Sequence, residues 1–438
     1  MTSEPEPDPA AAPHGDSDSS PPQETTTVPA PTAVPDLSAG DEIEVHTDRI
    51  AVGGDAIGVI PDGRVAFVDG ALPDETVVAT VVSVHRRRVH LRAEGVVEAS
   101  PVRVTPPCPN VARGCGGCGW QHVEPAAQVD LKVAMVTDAL GHLGRVDAPS
   151  VVAGPRLESH AGRTAVRAAV AGDGRLGLRA ARSHDVVPFG TGGCLIAHPL
   201  VDEILRAAVF PGASEVVVRA GSVTGERLVI HDTDPDEIEG VAADVRVVSR
   251  HQLAAGERAW FHEEVAGHRF RISAESFFQS RPDGAAALVA AVNDAAGHHA
   301  DGGTLLDLYG GVGLFGATVG SPDRVVAVER NRAAVADAHH NLAHRHARVV
   351  RINVTRLRPT RADLVVADPA RGGLDRGGVL VVAASGAARI VLVSCDPGAL
   401  GRDAALLHDA GYDHHRSVMI DMFPHTTRVE VVTAFDRR

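Results

Sequence analysis

The stretch Leu305-Leu306-Asp307-Leu308-Tyr309-Gly310-Gly311-Val312-Gly313-Leu314-Phe315 reads as a buried strand, a glycine-rich turn and the start of a helix. Glycines there let the backbone turn tightly and approach a ligand, at the carboxyl edge where open α/β sheets bind nucleotides. Around it, apolar strands are predicted at 304–308, 324–328, 363–367 and 389–393, separated by helical stretches. Continuous apolar strands alternating with helices mean a parallel sheet covered on both faces, so the C-terminal part is α/β and doubly wound. Two last runs, 418–423 and 428–435, are close enough to form a hairpin, expected to end the sheet.

The ends of these strands carry the chemistry. Glu329 ends the second strand eighteen residues after Gly311, where a carboxylate can accept both hydroxyls of a ribose. Asp368, in Val366-Ala367-Asp368-Pro369-Ala370-Arg371, closes the third strand on the same edge. A dehydrogenase shares the glycine turn, but Gly, Glu and Asp on three successive strand ends point to S-adenosylmethionine; the bland reading of Asp368 is a helix cap.

Val393-Ser394-Cys395-Asp396-Pro397 puts a cysteine at the fourth strand end, beside the expected methyl donor. A nucleophilic cysteine needs a place that favours its thiolate, and a helix N-terminus is one. Carbon 5 of uracil is too weak a nucleophile to take a methyl group directly. Thiolate addition at carbon 6 turns the ring into an enolate that can, and a base must then remove the carbon 5 proton. Glu430 is the candidate base. Taken alone, Cys395 reads as a small buried hydrophobe and Glu430 as a surface strand residue.

Upstream, residues 37–99 alternate short Val- and Ile-rich runs with turns, the pattern of a small β-barrel of the oligonucleotide-binding type. Its densest basic segment, His85 to Arg92, is expected to be a strand that tracks phosphates, or else a solvated barrel face. Residues 100–275 give mixed α+β signals. Within them Cys108, Cys115 and Cys118 follow a C-x6-C-x2-C pattern, and Cys194 lies far downstream. Four thiolates would suit either zinc or a four-iron cluster, and the spacing does not choose. Residues 1–36, rich in Pro with seven acidic residues and neither Lys nor Arg, read as a disordered tail carrying half of the net charge of −14. The domains are thus expected at 1–36, 37–99, 100–275 and 276–438, the last housing the methyl transfer.

With these residues in view, the chain resembles the RNA uracil-5-methyltransferases that carry an N-terminal TRAM domain and an iron–sulfur cluster. The resemblance rests on Ser276-Phe277-Phe278-Gln279, Asp307-Leu308-Tyr309, Asp368-Pro369-Ala370-Arg371, Ser394-Cys395-Asp396-Pro397 and the run from Asp421 to Glu430. It implies Gln279, Tyr309, Glu329 and Asp368 as cofactor contacts, Cys395 as nucleophile and Glu430 as base. It also implies a 4Fe-4S cluster on Cys108, Cys115, Cys118 and Cys194. The sequence departs from the family at Ala370 and Asn353, and at Asp396, a carboxyl expected to raise the pKa of the neighbouring thiol.

The partner implied is RNA, with large-subunit (23S) ribosomal RNA favoured over transfer RNA. The target base must be flipped or unpaired for the nucleophile to reach it. Arg86 to Arg88, Arg163, Arg167 and Arg371 are candidates to hold the RNA backbone. No apolar run is long enough for a membrane span and no signal segment starts the chain, so a cytoplasmic protein is expected, with no obligate protein partner in view. Two rival readings are a methyltransferase acting on another RNA position or a small molecule, and a non-catalytic RNA-binding protein.

Overall fold

A computed structural model describes residues 37–232 and 238–438; the stretch read as a disordered tail lies outside the described residues. Five strands between Glu42 and Glu98 form a closed barrel. Every other side chain of Glu75–Val84 points inward, the period-2 pattern of a half-buried strand. Closure removes the exposed strand edges that an open sheet of this size would leave. The basic segment is not one strand: His85, Arg86 and Arg87 form the exposed turn, and the strand Arg88–Glu98 begins only at Arg88.

Eight strands form the large sheet, in the order Ala347–Arg351, Arg324–Glu329, Thr304–Leu308, Leu364–Ala367, Arg389–Ser394, Glu430–Arg437, Tyr412–Ile420, Val151–Ala153. The first five are mutually parallel. The four inner strands are buried on both faces, their side chains divided between two apolar clusters that hold Leu305, Val325 and Val391 on one side and Leu306, Val326 and Leu392 on the other. Strand order reverses between Thr304–Leu308 and Leu364–Ala367, and that switch point opens the crevice where such sheets bind ligands.

Three features differ from the sequence reading. Ala347–Arg351 is an additional edge strand; with Arg348 and Arg351 on either side of only two valines, it does not show in a search for apolar runs. The final hairpin forms, with Glu430–Arg437 lying antiparallel between Arg389–Ser394 and Tyr412–Ile420, but it does not end the sheet. The edge is instead closed by Val151–Ala153, from the stretch expected to belong to the central region, pairing parallel to Tyr412–Ile420.

The central region contributes a six-stranded sheet with Glu215–Ala220 in the middle and a two-stranded ribbon, Trp260–Val265 with His268–Ser273. The helix Pro125–His142 joins the parts. Ala127 and Met135 pack with Ile50 and Leu72 of the barrel, while Val136 and Leu140 enter the core of the large sheet.

Candidate active site

At the switch point, Gly311 and Gly313 adopt left-handed conformations, with φ of +54° and +92°. Tyr309 does so too, at +59°, a strained position for a side chain that bears a Cβ. At Gly310 a Cβ would lie 2.9 Å from Asp307 Oδ2, so the turn closes directly over the Asp307 carboxylate. Asp307 is fully buried; Oδ2 accepts the Gly316 N–H at 2.9 Å, while Oδ1 has no partner among the described residues. Burial pushes this carboxyl up to about 7, opposed by the Gly316 N–H and reinforced by Asp368 and Glu329.

Glu329 is oriented by backbone alone. Oε2 accepts the Gly311 N–H at 3.2 Å, and Oε1 accepts those of Arg330 and Asn331 at 2.7 and 2.6 Å. Gln279 is buried at the end of the loop that follows His268–Ser273. That loop is tied down by Asp337, wholly buried, which accepts from Ser273 N, Ser273 Oγ, Ser276 Oγ and Arg271 Nε at 2.6 to 2.9 Å.

Cys395 and Glu430 are brought together by strand register. Ser394 pairs with Val431 across the antiparallel ladder, so the next step of the same register sets Cys395 opposite Glu430. Asp368 follows Ala367, which pairs with Leu392, and so lies on the same edge one strand away. Burial pushes Asp368 up to about 7. It pushes Glu430 well above the ordinary carboxylate range, with Asp368 adding to the rise.

The Cys395 thiol is raised from 9.0 to about 11, first by burial, then by the charges of Glu430 and Asp368, with Arg371 opposing. The expectation that a helix N-terminus would favour the thiolate is therefore corrected: in this apolar, carboxyl-lined setting the resting group is the thiol. Nor is Asp396 among the charges that raise it. Its Oδ1 accepts the Ala399 N–H at 2.7 Å and caps the helix Pro397–Asp409, as Asp at an N-cap position does.

Three guanidiniums gather around this centre. The charges of Arg371 and Arg163 act on Arg428, and Arg428 in turn feels Cys395. None of the three forms an ion pair among the described residues, although Arg163 Nε donates to the Ala165 carbonyl at 3.0 Å. Arg428 was missed in the sequence because nothing in its neighbourhood there signals that it faces Arg163, more than two hundred residues away. Arg167, by contrast, is engaged with Glu215.

Cys108, Cys115, Cys118 and Cys194 line one small cavity together with Asn110, Gln121 and Phe189. Cys115 bridges to Ala180, just past the strand Leu176–Arg179 of the six-stranded sheet, and the Cys194 N–H donates to Asp202 Oδ1 at 2.6 Å. Among the described residues no three His, Cys, Asp or Glu side chains are set closely enough to hold a metal ion as they stand.

No family model matches the chain. It is 34% identical over 431 residues to an uncharacterized RNA methyltransferase of Streptomyces avermitilis, covering 91% of this chain and 98% of the relative. It is 33% identical over 447 residues to another from Streptomyces coelicolor, covering 94% and 96%. The chain belongs to this family of RNA methyltransferases. Among solved structures it resembles the Pyrococcus abyssi tRNA (uracil-54, C5)-methyltransferase in complex with S-adenosyl-L-homocysteine, with a TM-score of 0.67, 22% identity and coverage of 90% of this chain and all of that one. That likeness establishes a shared methyltransferase fold.

Proposed function

We propose that this chain methylates carbon 5 of a uracil in RNA, with Cys395 as nucleophile and Glu430 as base. The observation that carries the reading is the convergence of thiol, Glu430 and Asp368 on one sheet edge beside the glycine turn, near Arg163, Arg371 and Arg428, none of which forms an ion pair among the described residues. A methyltransferase that attacks with an exocyclic nitrogen or a hydroxyl has no use for a half-buried thiol facing a buried carboxyl.

S-adenosylmethionine, when bound, supplies the methyl group. The residues present fit it: Asp307 Oδ1 lacks a partner among the described residues, and carboxyls that burial has raised to about 7 suit a ligand bearing positive charge. Glu329 would take the ribose hydroxyls, with Tyr309, Gly311 and Gln279 lining the remainder. Once the Cys395 thiol has given its proton to solvent, the thiolate sulfur bonds to uracil carbon 6, and the C5–C6 electron pair shifts into an enolate that makes carbon 5 the nucleophile. After the methyl group is received there, Glu430 takes the carbon 5 proton. The C–H electron pair reforms the C5–C6 double bond, and the C6–S bond breaks with its electrons left on Cys395 sulfur. A carboxyl held well above its ordinary range is matched to this proton transfer.

Arg163, Arg371 and Arg428 would hold phosphates flanking a flipped nucleotide, and the barrel, as a TRAM-type module, would extend the contact through Arg86 to Arg88. Cys108, Cys115, Cys118 and Cys194, which line one cavity, would hold the 4Fe-4S cluster that the family resemblance implies. Ribosomal RNA is the favoured substrate.

The test is nucleoside mass spectrometry with site mapping on ribosomal and transfer RNA from cells lacking the protein, rescued by wild type or Cys395→Ala. Loss of 5-methyluridine at one site, restored by wild type alone, is expected. Unchanged 5-methyluridine throughout would overturn the proposal.

A further inference from the structure

The run from Asp421 to Glu430 enters the site as a loop, and loops alone place catalytic groups poorly. Its anchors come from a distant part of the chain. Lys132, the chain's one lysine, is wholly buried on the Pro125–His142 helix. It pairs with Asp421 Oδ1 at 2.6 Å and donates to the Phe423 carbonyl at 3.0 Å. One turn earlier on the same helix, Gln128 is equally buried. Its Oε1 accepts the His425 N–H at 2.6 Å, and its Nε2 donates to the Trp120 and Val123 carbonyls at 3.2 and 2.9 Å. The Trp120 N–H closes the ring by donating to the His425 carbonyl at 2.9 Å.

His425 itself sits at φ +63°, a conformation a β-carbon disfavours and one that persists only where neighbours over-determine it. From the other side the loop abuts the barrel turn at Gly54, where a Cβ would lie within van der Waals radii of both Thr427 and Trp120.

The same helix also bears on the nucleophile. Gly401, on the helix that follows Cys395, packs so tightly against it that a Cβ there would lie 2.5 Å from the Ala139 carbonyl oxygen. One rigid rod thus contacts the element after Cys395 and the loop before Glu430. Apart from Gln128, the other buried residues of this helix are apolar: Ala127, Met135, Val136, Ala139 and Leu140. A buried ion pair at such a position stabilises less than apolar packing of the same volume would, and what it supplies is geometry.

We propose that Gln128 and Lys132 are positioning residues, setting Glu430 against the carbon 5 proton by fixing the Asp421–His425 backbone. The proposal rests on the uracil methylation reading and deepens it. Proton removal is the last step and the one that frees Cys395, so a loosened loop slows release more than attack. Misplacement of a catalytic group on the ångström scale costs up to about a hundredfold in rate.

The experiment uses the full chain with ribosomal and transfer RNA from cells lacking it and S-adenosylmethionine. It compares wild type, Gln128→Met, Lys132→Met and the double variant Lys132→Met/Asp421→Leu, which removes the stranded charge. The readouts are released 5-methyluridine, the fraction of chain held as a denaturant-resistant RNA adduct, KM for RNA, and thermal unfolding. The expected result is a tenfold or larger fall in kcat with adduct accumulating and KM unchanged. The double variant is expected to recover stability but keep the adduct, which carries the test if Lys132→Met does not fold. Adduct and product falling in parallel, or full turnover in the double variant, would overturn the positioning role. Wild type that forms neither adduct nor 5-methyluridine would overturn the uracil reading itself and this inference with it.

Discussion

Cys395 gives the sharpest expectation about the resting enzyme. Its thiol stands at about 11 instead of 9.0, with burial as the chief cause and Glu430 and Asp368 as the next. At neutral pH this leaves about a hundredth of the thiolate an ordinary cysteine carries, since thiolate falls tenfold for each step in pKa. The anion that does form is the stronger nucleophile, and a Brønsted coefficient of about 0.4–0.5 returns roughly six- to tenfold. Alkylation of Cys395 should then run about ten- to sixteen-fold slower than that of an ordinary thiol, and the rate should climb with pH well past neutrality. The assay is methanethiosulfonate or iodoacetamide labelling of the ligand-free protein from neutral to alkaline pH, following the Cys395 peptide by mass spectrometry. Its inflection reports the thiol itself, separately from steric hindrance. Glu430→Gln removes the leading negative neighbour, so the inflection should move to lower pH. A plateau already reached near neutrality, or an inflection that Glu430→Gln leaves in place or raises, would refute the electrostatic account.

Other expectations concern binding and folding. Arg428→Ala should weaken RNA binding across sequences and reduce the slope of log affinity against log salt by about 1, measured by titration at several salt concentrations. Asp337→Ala strands Arg271, Ser273 and Ser276 around a buried gap, and chemical denaturation should show a loss of about 3–5 kcal/mol. Burial pushes Glu75 up, but Arg103 and the N–H groups of Leu72 and Ser100 outweigh it and hold the carboxyl below 4.5. A depressed folded-state value stabilises fully above 4.5 and is lost as pH falls through the folded value. Glu75→Gln should therefore destabilise at neutral pH by about 2–3 kcal/mol, and the difference should shrink in acid, as thermal unfolding against pH would reveal.

Much of the site was legible in the chain because the fold places strand ends where the chemistry is. An apolar run before Tyr309, Asp368 or Cys395 announces a buried parallel strand, and the residue that ends it lies by construction on the ligand-binding edge. Glu329 was legible by the same rule. The six-stranded central sheet was not, because its edge pairing mixes parallel and antiparallel strands that periodicity cannot order. Asp396 looked like an electrostatic partner for the thiol and is a helix cap, since a carboxylate one residue along a chain can turn to the backbone and leave its neighbour alone.

What the amino-acid sequence determined by itself was therefore local and periodic: the doubly wound half, the barrel, the glycine turn and which residues stand at strand ends. Only the tertiary structure decided how Glu430–Arg437 inserts into the sheet to set Glu430 against Cys395, that Val151–Ala153 closes the sheet edge, and that Gln128 and Lys132 anchor the loop before Glu430. The protonation of the centre belongs with these. A thiol near 11 and carboxyls near 7 follow from burial and mutual approach, and both are properties of distances between residues that the chain holds far apart until it folds.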